Sequence, residues 1–166
     1  MSCLSWNCQG LGNPQAVRDL HHLVKDKKPT VVFLMETKIF NKNCDFLRIK
    51  LGYDHMFVVD SVGRSGGLIL LWNSYVDVVI QNYSHRHINA IVTNGGTGIK
   101  WKFTGFYGHP DTAKRKEAWN LLPHLSHFQP IPWIYIGNFN EIMDLTEKKK
   151  EKKRKEKERL LEIKAK

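Results

Sequence analysis

The chain is 166 residues long, 42% hydrophobic and 25% charged, which is enough apolar material for one globular domain with a sizeable core. No apolar run approaches a membrane span, and the N-terminus opens on a strand-like pattern, so neither an anchor nor a secretory leader is expected. The net charge of +10 is unevenly placed: residues 148–166 hold 11 Lys/Arg against 4 Glu, which leaves only +3 for residues 1–147.

Residues 2–8 read as a first strand closed by Asn7. Asn13-Pro14 then predicts a helix start, a capping side chain followed by proline in the first turn. Val17, Leu20 and Val24 recur at helical spacing, so residues 14–26 form an amphipathic helix that Lys27-Lys28-Pro29 breaks. Residues 30–35 are a second, apolar strand ended by Glu36. Strand, helix and buried strand together suggest a βαβ-like unit with both sheet faces covered.

Residues 43–51 predict a short helix with Phe46, Leu47 and Leu51 inward. Met56 to Asp60 is a strand, and Gly63-Arg64-Ser65-Gly66-Gly67 is a turn leading into the strand Leu68 to Trp72. The glycine cluster invites comparison with a phosphate loop, but no Lys-Ser/Thr follows, so a tight hairpin is expected. Residues 75–80 alternate, residues 88–93 form another strand, and Asn94-Gly95-Gly96 turns the chain into a strand from Lys100. Strands at this short spacing signal an antiparallel meander. A helix is expected from about residue 112, followed by the apolar run 132–136, which reads as a buried strand. That strand stops at Gly137 and releases Asn138, Asn140 and Glu141.

The inventory of roughly eight strands and two or three helices predicts an α/β fold. Its form is a layered sandwich of two packed mixed sheets flanked by helices. Composition then changes abruptly, which divides the chain into a domain over residues 1–146 and a Lys/Glu-rich basic tail over residues 147–166. Within the tail, Lys152, Lys153, Arg154 and Lys155 form a basic run that would attract nucleic acid in a salt-dependent way and matches a nuclear-import pattern. A merely solvated Glu/Lys helix explains the same residues. Cys3, Cys8 and Cys44 are odd in number and lack metal-ligand spacing, so reduced thiols are expected, as in a nuclear or cytoplasmic protein.

Asn7, Glu36, Tyr107 and the Asn138/Asn140 pair stand at or just past the ends of apolar strands, the rim where α/β proteins bind ligands. Glu36 supplies the carboxylate that a hard cation such as Mg²⁺ requires. Asn7 and Asn140 can donate to phosphate oxygens, and Tyr107 can donate to a phosphoryl oxygen as charge develops there. His109 lies beside the same path and is a candidate phosphate contact. His85-x-His87 has strand spacing that would place both rings on one face, but beside Arg86 a surface pair is the simpler reading. Taken singly, each of these residues also fits an ordinary turn or core position.

Five segments occur together in order: Trp6-Asn7-Cys8-Gln9-Gly10-Leu11-Gly12, Met35-Glu36-Thr37-Lys38, Gly66-Gly67-Leu68, Gly105-Phe106-Tyr107-Gly108 and Gly137-Asn138-Phe139-Asn140-Glu141. On these segments, residues 2–146 resemble the endonuclease/exonuclease/phosphatase superfamily, the deoxyribonuclease-like phosphodiesterases. The likeness is nearest to the endonuclease domain of plant LINE-type non-LTR retrotransposons. The resemblance implies a divalent-metal-dependent phosphodiesterase acting on DNA or another nucleic acid, with no membrane partner. It further implies that Glu36 binds Mg²⁺ or Mn²⁺, that Asn7 supports the site and that Tyr107 contacts the scissile phosphate. Asn140 would be a phosphate contact.

Two departures count against activity. Asn138 stands where the family carries an Asp that handles the attacking water, and no histidine follows Glu141, where the family has a Ser-Asp-His-type ending. The domain is therefore expected to lack its C-terminal part and to be catalytically impaired, and the metal need not be retained. The alternatives are a non-catalytic nucleic-acid-binding remnant and an unstable product of a degraded retroelement.

Overall fold

The computed structural model describes residues 1–39, 44–62, 65–109 and 131–139. They build eight strands and two helices: β1 (Cys3–Asn7), α1 (Pro14–Lys27), β2 (Val31–Met35), α2 (Asp45–Leu51), β3 (His55–Val62), β4 (Ser65–Trp72), β5 (Val76–Ser84), β6 (His87–Asn94), β7 (Lys100–Tyr107) and β8 (Trp133–Asn138). Two four-stranded sheets result, in the orders β1-β2-β4-β3 and β5-β6-β7-β8. Each is mixed, because β1 runs parallel to β2 and β7 parallel to β8 while the other pairs are antiparallel. The expected α/β sandwich of two packed mixed sheets is what forms. Among the described residues, no helix is long and apolar enough to cross a membrane.

The wholly apolar character of β2 follows from burial on both faces. Its odd residues, Val31, Phe33 and Met35, point into the core between the sheets with Leu68, Leu70, Ile88, Val92, Trp101 and Phe103. Its even residues, Val32 and Leu34, point the other way and pack with Val17, Leu20, Val24, Leu47 and Leu51 from the two helices. A strand covered on both sides has no place for a polar residue, and alternation disappears. The edge strand β5 does alternate, as its sequence predicts.

Local signals set the element ends. The Asn13 side chain accepts the Gln15 amide at 2.9 Å and Pro14 fills the first helical turn, so α1 starts where expected. It ends as Lys28 turns left-handed (φ 45°) and donates its amide to Val24. The β3–β4 connection is the expected hairpin: Val62 pairs with Ser65, leaving a two-residue link at positions 63–64, which lie outside the described residues. At the β6–β7 turn, Asn94 Oδ1 accepts the amides of Gly96 at 2.8 Å and Thr97 at 3.0 Å.

Three expectations need correction. Phe46 is half exposed, because Leu47 and Leu51, four residues apart, define the buried face of α2 and Phe46 lies about 100° round from Leu47. β8 is half-buried rather than buried: among the described residues it is the last strand of its sheet, and Ile134 is 41% exposed. His87 is buried rather than a surface residue: it accompanies the β5–β6 pairing irregularity, between Ser84 Oγ at 2.7 Å from Nδ1 and Asn82 Oδ1 at 2.9 Å from Nε2. The helix expected from residue 112 and the tail over residues 147–166 lie outside the described residues.

The two sheets approach closely at Phe33 and Gly105. Phe33 is fully buried, meets Phe103 edge-to-face at 6.0 Å, and lies so near β7 that a Cβ on Gly105 would come within 2.6 Å of its ring. Gly105→Ala is therefore expected to destabilise the fold by about 1–3 kcal/mol through overpacking, measurable by urea denaturation. An unchanged midpoint would show that the sheets can separate at this point without penalty.

Candidate active site

Alternation along the strands decides which residues meet. Cys3 on β1 and Ile136 on β8 belong to the core between the sheets, so Asn7 and Asn138, four and two residues on, fall on the same inner faces. Met35 and Tyr107 are themselves in that core. Because β1 parallels β2 and β7 parallels β8, the four C-terminal ends gather at one rim. The Tyr107 hydroxyl donates a short hydrogen bond across that rim to Glu36 Oε1, 71 positions away in sequence. On the neighbouring strand the amide of Asn138 lies 3.3 Å from Met35 Sδ, and its carbonyl accepts the Gly108 amide at 2.7 Å.

The backbone around Glu36 is specialised. Glu36 and Lys38 have φ values of 52° and 54°, and Gln9 in the loop after β1 has 50°, all in a region that non-glycine residues seldom occupy. The turn is held by three backbone bonds: Thr37 amide to Gly67 carbonyl (3.2 Å), Lys38 amide to Gly66 carbonyl (3.2 Å) and Leu11 amide to Thr37 carbonyl (2.8 Å). The glycines of the β3–β4 hairpin thus act as a backbone clamp on the Glu36 turn. Asn7 is half-buried beside it, its Oδ1 accepting the Gln9 amide at 3.2 Å. A Cβ on Gly137 would overlap the Phe106 carbonyl, so glycine there lets β8 close on β7 immediately before Asn138.

Tyr107 is buried, and burial followed by its bond to Glu36 pushes its ionisation well above the ordinary tyrosine range. It is therefore a proton donor at any ordinary pH. The Arg86 guanidinium stands 5.7 Å from the centre of the Tyr107 ring, and the Arg86 carbonyl accepts the Tyr107 amide at 2.7 Å. Beside them a cleft of about 390 Å³ opens between the β3–β4 hairpin and the β5–β6 turn, lined by Asp60, Gly66, His85, Arg86 and Tyr107. Cys8 is buried below, its thiol pushed up to about 12 chiefly by burial, with the Glu36 charge adding to the rise. It is inert.

The donor set can be weighed against the implied metal. One oxygen of Glu36 receives Tyr107, leaving the other for a cation, and one carboxylate supplemented by water and substrate oxygens is a usual Mg²⁺ arrangement. Among the described residues no three His, Cys, Asp or Glu side chains come together. The chemistry suits a hard, hydrated divalent ion rather than zinc.

Of the residues expected at the site, Asn7, Glu36, Tyr107 and Asn138 converge, and half-buried His109 follows two positions after Tyr107. Asn140, Lys152, Lys153, Arg154 and Lys155 lie outside the described residues. Sequence reasoning missed Arg86, which it named only as the residue between His85 and His87. Its only signal was a basic residue in a hairpin, and nothing local reveals that this hairpin reaches Tyr107.

Two packed mixed sheets with a polar cleft at the strand ends define a phosphodiesterase/nuclease-type fold. The chain belongs to the Endonuclease/Exonuclease/phosphatase family, whose model matches residues 4–158. Similar solved structures include humanised D. rerio TDP2 (TM-score 0.64, 19% identity, 84% of this chain and 66% of that one). Others are a mannosyl-6-phosphatase from Bacteroides thetaiotaomicron (0.65, 16%, 83% and 64%) and the endonuclease domain of TRAS1, a telomere-specific non-LTR retrotransposon (0.59, 14%, 84% and 59%). At these identities the likeness shows the fold alone, and the chain spans less than two thirds of the length of each. No curated protein sequence matches the chain significantly.

The Tyr107–Glu36 bond generates a stability prediction. Tyr107→Phe should cost about 1.5 kcal/mol, the low end for a hydrogen bond to a charged group because water reaches Glu36. A second follows from ionisation. Burial raises Tyr53, Tyr107 and Tyr135 in the folded state, so the unfolded chain loses these protons first as pH rises. Burial raises Cys3, Cys8 and Cys44 as well, so stability should be intact below about pH 8.5, the unfolded thiol value, and fall above it, more steeply past about pH 10 where the unfolded tyrosines ionise. Denaturation at stepped alkaline pH tests this, and a flat profile would contradict it.

Proposed function

We propose that the chain is an impaired divalent-metal-dependent phosphodiesterase of non-LTR retrotransposon descent, plant LINE-type by its motifs. It binds the phosphate backbone of DNA or another nucleic acid at the strand-end rim. The observation that carries this reading is the Tyr107–Glu36 pair, a protonated phenol and a carboxylate joined across two sheets beside a cleft walled by Arg86. A divalent ion, when bound, would supply charge stabilisation to a phosphoryl oxygen, with Glu36 as its protein ligand and Asn7 supporting the site, and Asn140 would be a phosphate contact. Tyr107 would swing its single O–H from Glu36 to a second phosphoryl oxygen, and Arg86 would draw the phosphate into the cleft. His109 lies on the same path, and the Lys152–Lys155 run would add sequence-independent attraction.

Impairment rests on Asn138. A carboxamide nearly matches a carboxylate in shape, but it carries no charge and is no base near neutral pH. Water activation by a general base is typically worth about 10²–10⁴ in rate. Such contributions are not additive, so Asn138→Asp should recover only part of that factor.

The test is nicking of supercoiled plasmid with Mg²⁺ or Mn²⁺, run beside filter binding of the same DNA. Binding should be strengthened by the ion and lose that strengthening in Glu36→Ala, while nicking stays at least about 10²-fold below that of an intact family enzyme. Robust metal-dependent nicking abolished by Glu36→Ala would overturn the impairment. Binding that Glu36→Ala and Arg86→Ala leave untouched would instead favour a remnant that holds nucleic acid only through its basic tail.

A further inference from the structure

At the other end of the first sheet is a second recess that the strand-end chemistry does not use. It has a volume of about 380 Å³ and lies among the last turn of α1, the last turn of α2 and the turn after β4. Its polar lining is His21, Lys25, Lys28, Lys50, Tyr53 and Asn73. Among the described residues no Asp or Glu lines it. Pro29 and Lys28 precede β2, whereas Glu36 follows it, so at a rise of about 3.3 Å per residue the recess lies roughly 20 Å from the Glu36 rim.

The recess is braced. The buried Tyr53 hydroxyl donates to the Pro29 carbonyl at 2.7 Å, tying the end of α2 to the start of β2. Gly52 closes α2 in a left-handed turn (φ 76°), and the Arg48 guanidinium holds the carbonyls of Tyr53 and Asp54 at 3.3 Å and 3.2 Å. Two acids adjacent in sequence are engaged elsewhere: Asp54 accepts the Ser74 amide at 2.6 Å and Asp26 pairs with Lys27 at 2.8 Å. Lysines in the last turn of a helix also suit its negative end. That explains one cation at each of α1 and α2. It does not explain why the two ends bring Lys25, Lys28 and Lys50, with His21, to the lining of a single recess, nor why these lysines form no ion pair among the described residues.

We infer that this recess is a second phosphate-binding site, distinct from the strand-end cleft. Three flexible ammonium groups around a small concavity, with the Asn73 amide as a further donor, fit the oxygens of a phosphate or diphosphate group. The same chemistry would receive a free phosphoanion or one phosphate of a nucleic-acid backbone. The inference stands independently of the strand-end reading.

The test follows backbone amide shifts of the full chain by NMR, titrated separately with inorganic pyrophosphate and with a single-stranded oligonucleotide. Saturable shifts at Gly52, Tyr53 and Asn73 are expected, with affinity at these amides about tenfold weaker in the Lys25→Gln/Lys50→Gln double variant. A response to pyrophosphate identifies a free phosphoanion as a sufficient ligand, and a response confined to the oligonucleotide identifies the backbone. In the latter case the salt slope should fall by about 1.4, at roughly 0.7 per phosphate contact on a single strand. Because these lysines are remote from Glu36, shifts at Gly108 and Asn138 report the strand-end cleft separately. Absence of saturable shifts at the recess with both probes, or shifts that the double variant leaves unchanged, would overturn the inference.

Discussion

The close approach of Phe33 to Gly105 sets the spacing on which the site depends. Phe33 lies three residues before Glu36, and Gly105 lies two before Tyr107. With a phenyl ring lodged where the opposite strand has no side chain, the sheets come together at this level. One turn of the pleat further on, a phenol from one sheet can reach a carboxylate on the other. A β-carbon at position 105 would force the ring or the strand to move, and protein interiors absorb such changes poorly. Core packing and site geometry are therefore one constraint, expressed first in apolar and then in polar residues.

That arrangement also explains why polar groups sit here without weakening the sandwich. Tyr107 is buried but stays neutral, and its hydroxyl donates to a half-buried carboxylate. The charge therefore remains at the rim, where water or a cation can meet it, while the aromatic ring belongs to the core. The left-handed turn at Glu36 is held by backbone bonds to the Gly66-Gly67 hairpin, so the strained residue is supported by a neighbouring element rather than by its own flanks. Asn138 occupies the matching position on β8 but brings no negative charge. The rim thus sets a phenol, a carboxylate and a carboxamide beside one another.

Much of this architecture was legible in the chain. Periodicity marks α1, because Val17, Leu20 and Val24 fall on one face, and Asn13-Pro14 marks where it begins. Gly66-Gly67 and Asn94-Gly95-Gly96 mark hairpins, since only turn chemistry tolerates such runs between apolar strands. The strand ends at Asn7, Glu36, Tyr107 and Asn138 could be read as abrupt switches from apolar to polar residues. Phe46 was misjudged because in a seven-residue helix a neighbouring pair of large apolar residues gives no clear stripe, and only packing against α1 selects Leu47. His87 was misjudged because a pairing irregularity between Ile80 and Asn82 turns it towards partners that no sequence spacing announces.

By itself, then, the sequence determined the elements, their order and the polar residues that end the strands, because these depend on local periodicity, turn chemistry and the exclusion of charge from a strand buried on both faces. Only the tertiary structure decided which ends meet. The Tyr107–Glu36 bond spans 71 positions, Arg86 reaches Tyr107 from a separate hairpin, and three lysines from two helices share a recess at the far end. Such proximities arise from sheet order and intersheet spacing, which are properties of the packed whole and leave no periodic trace in any one segment.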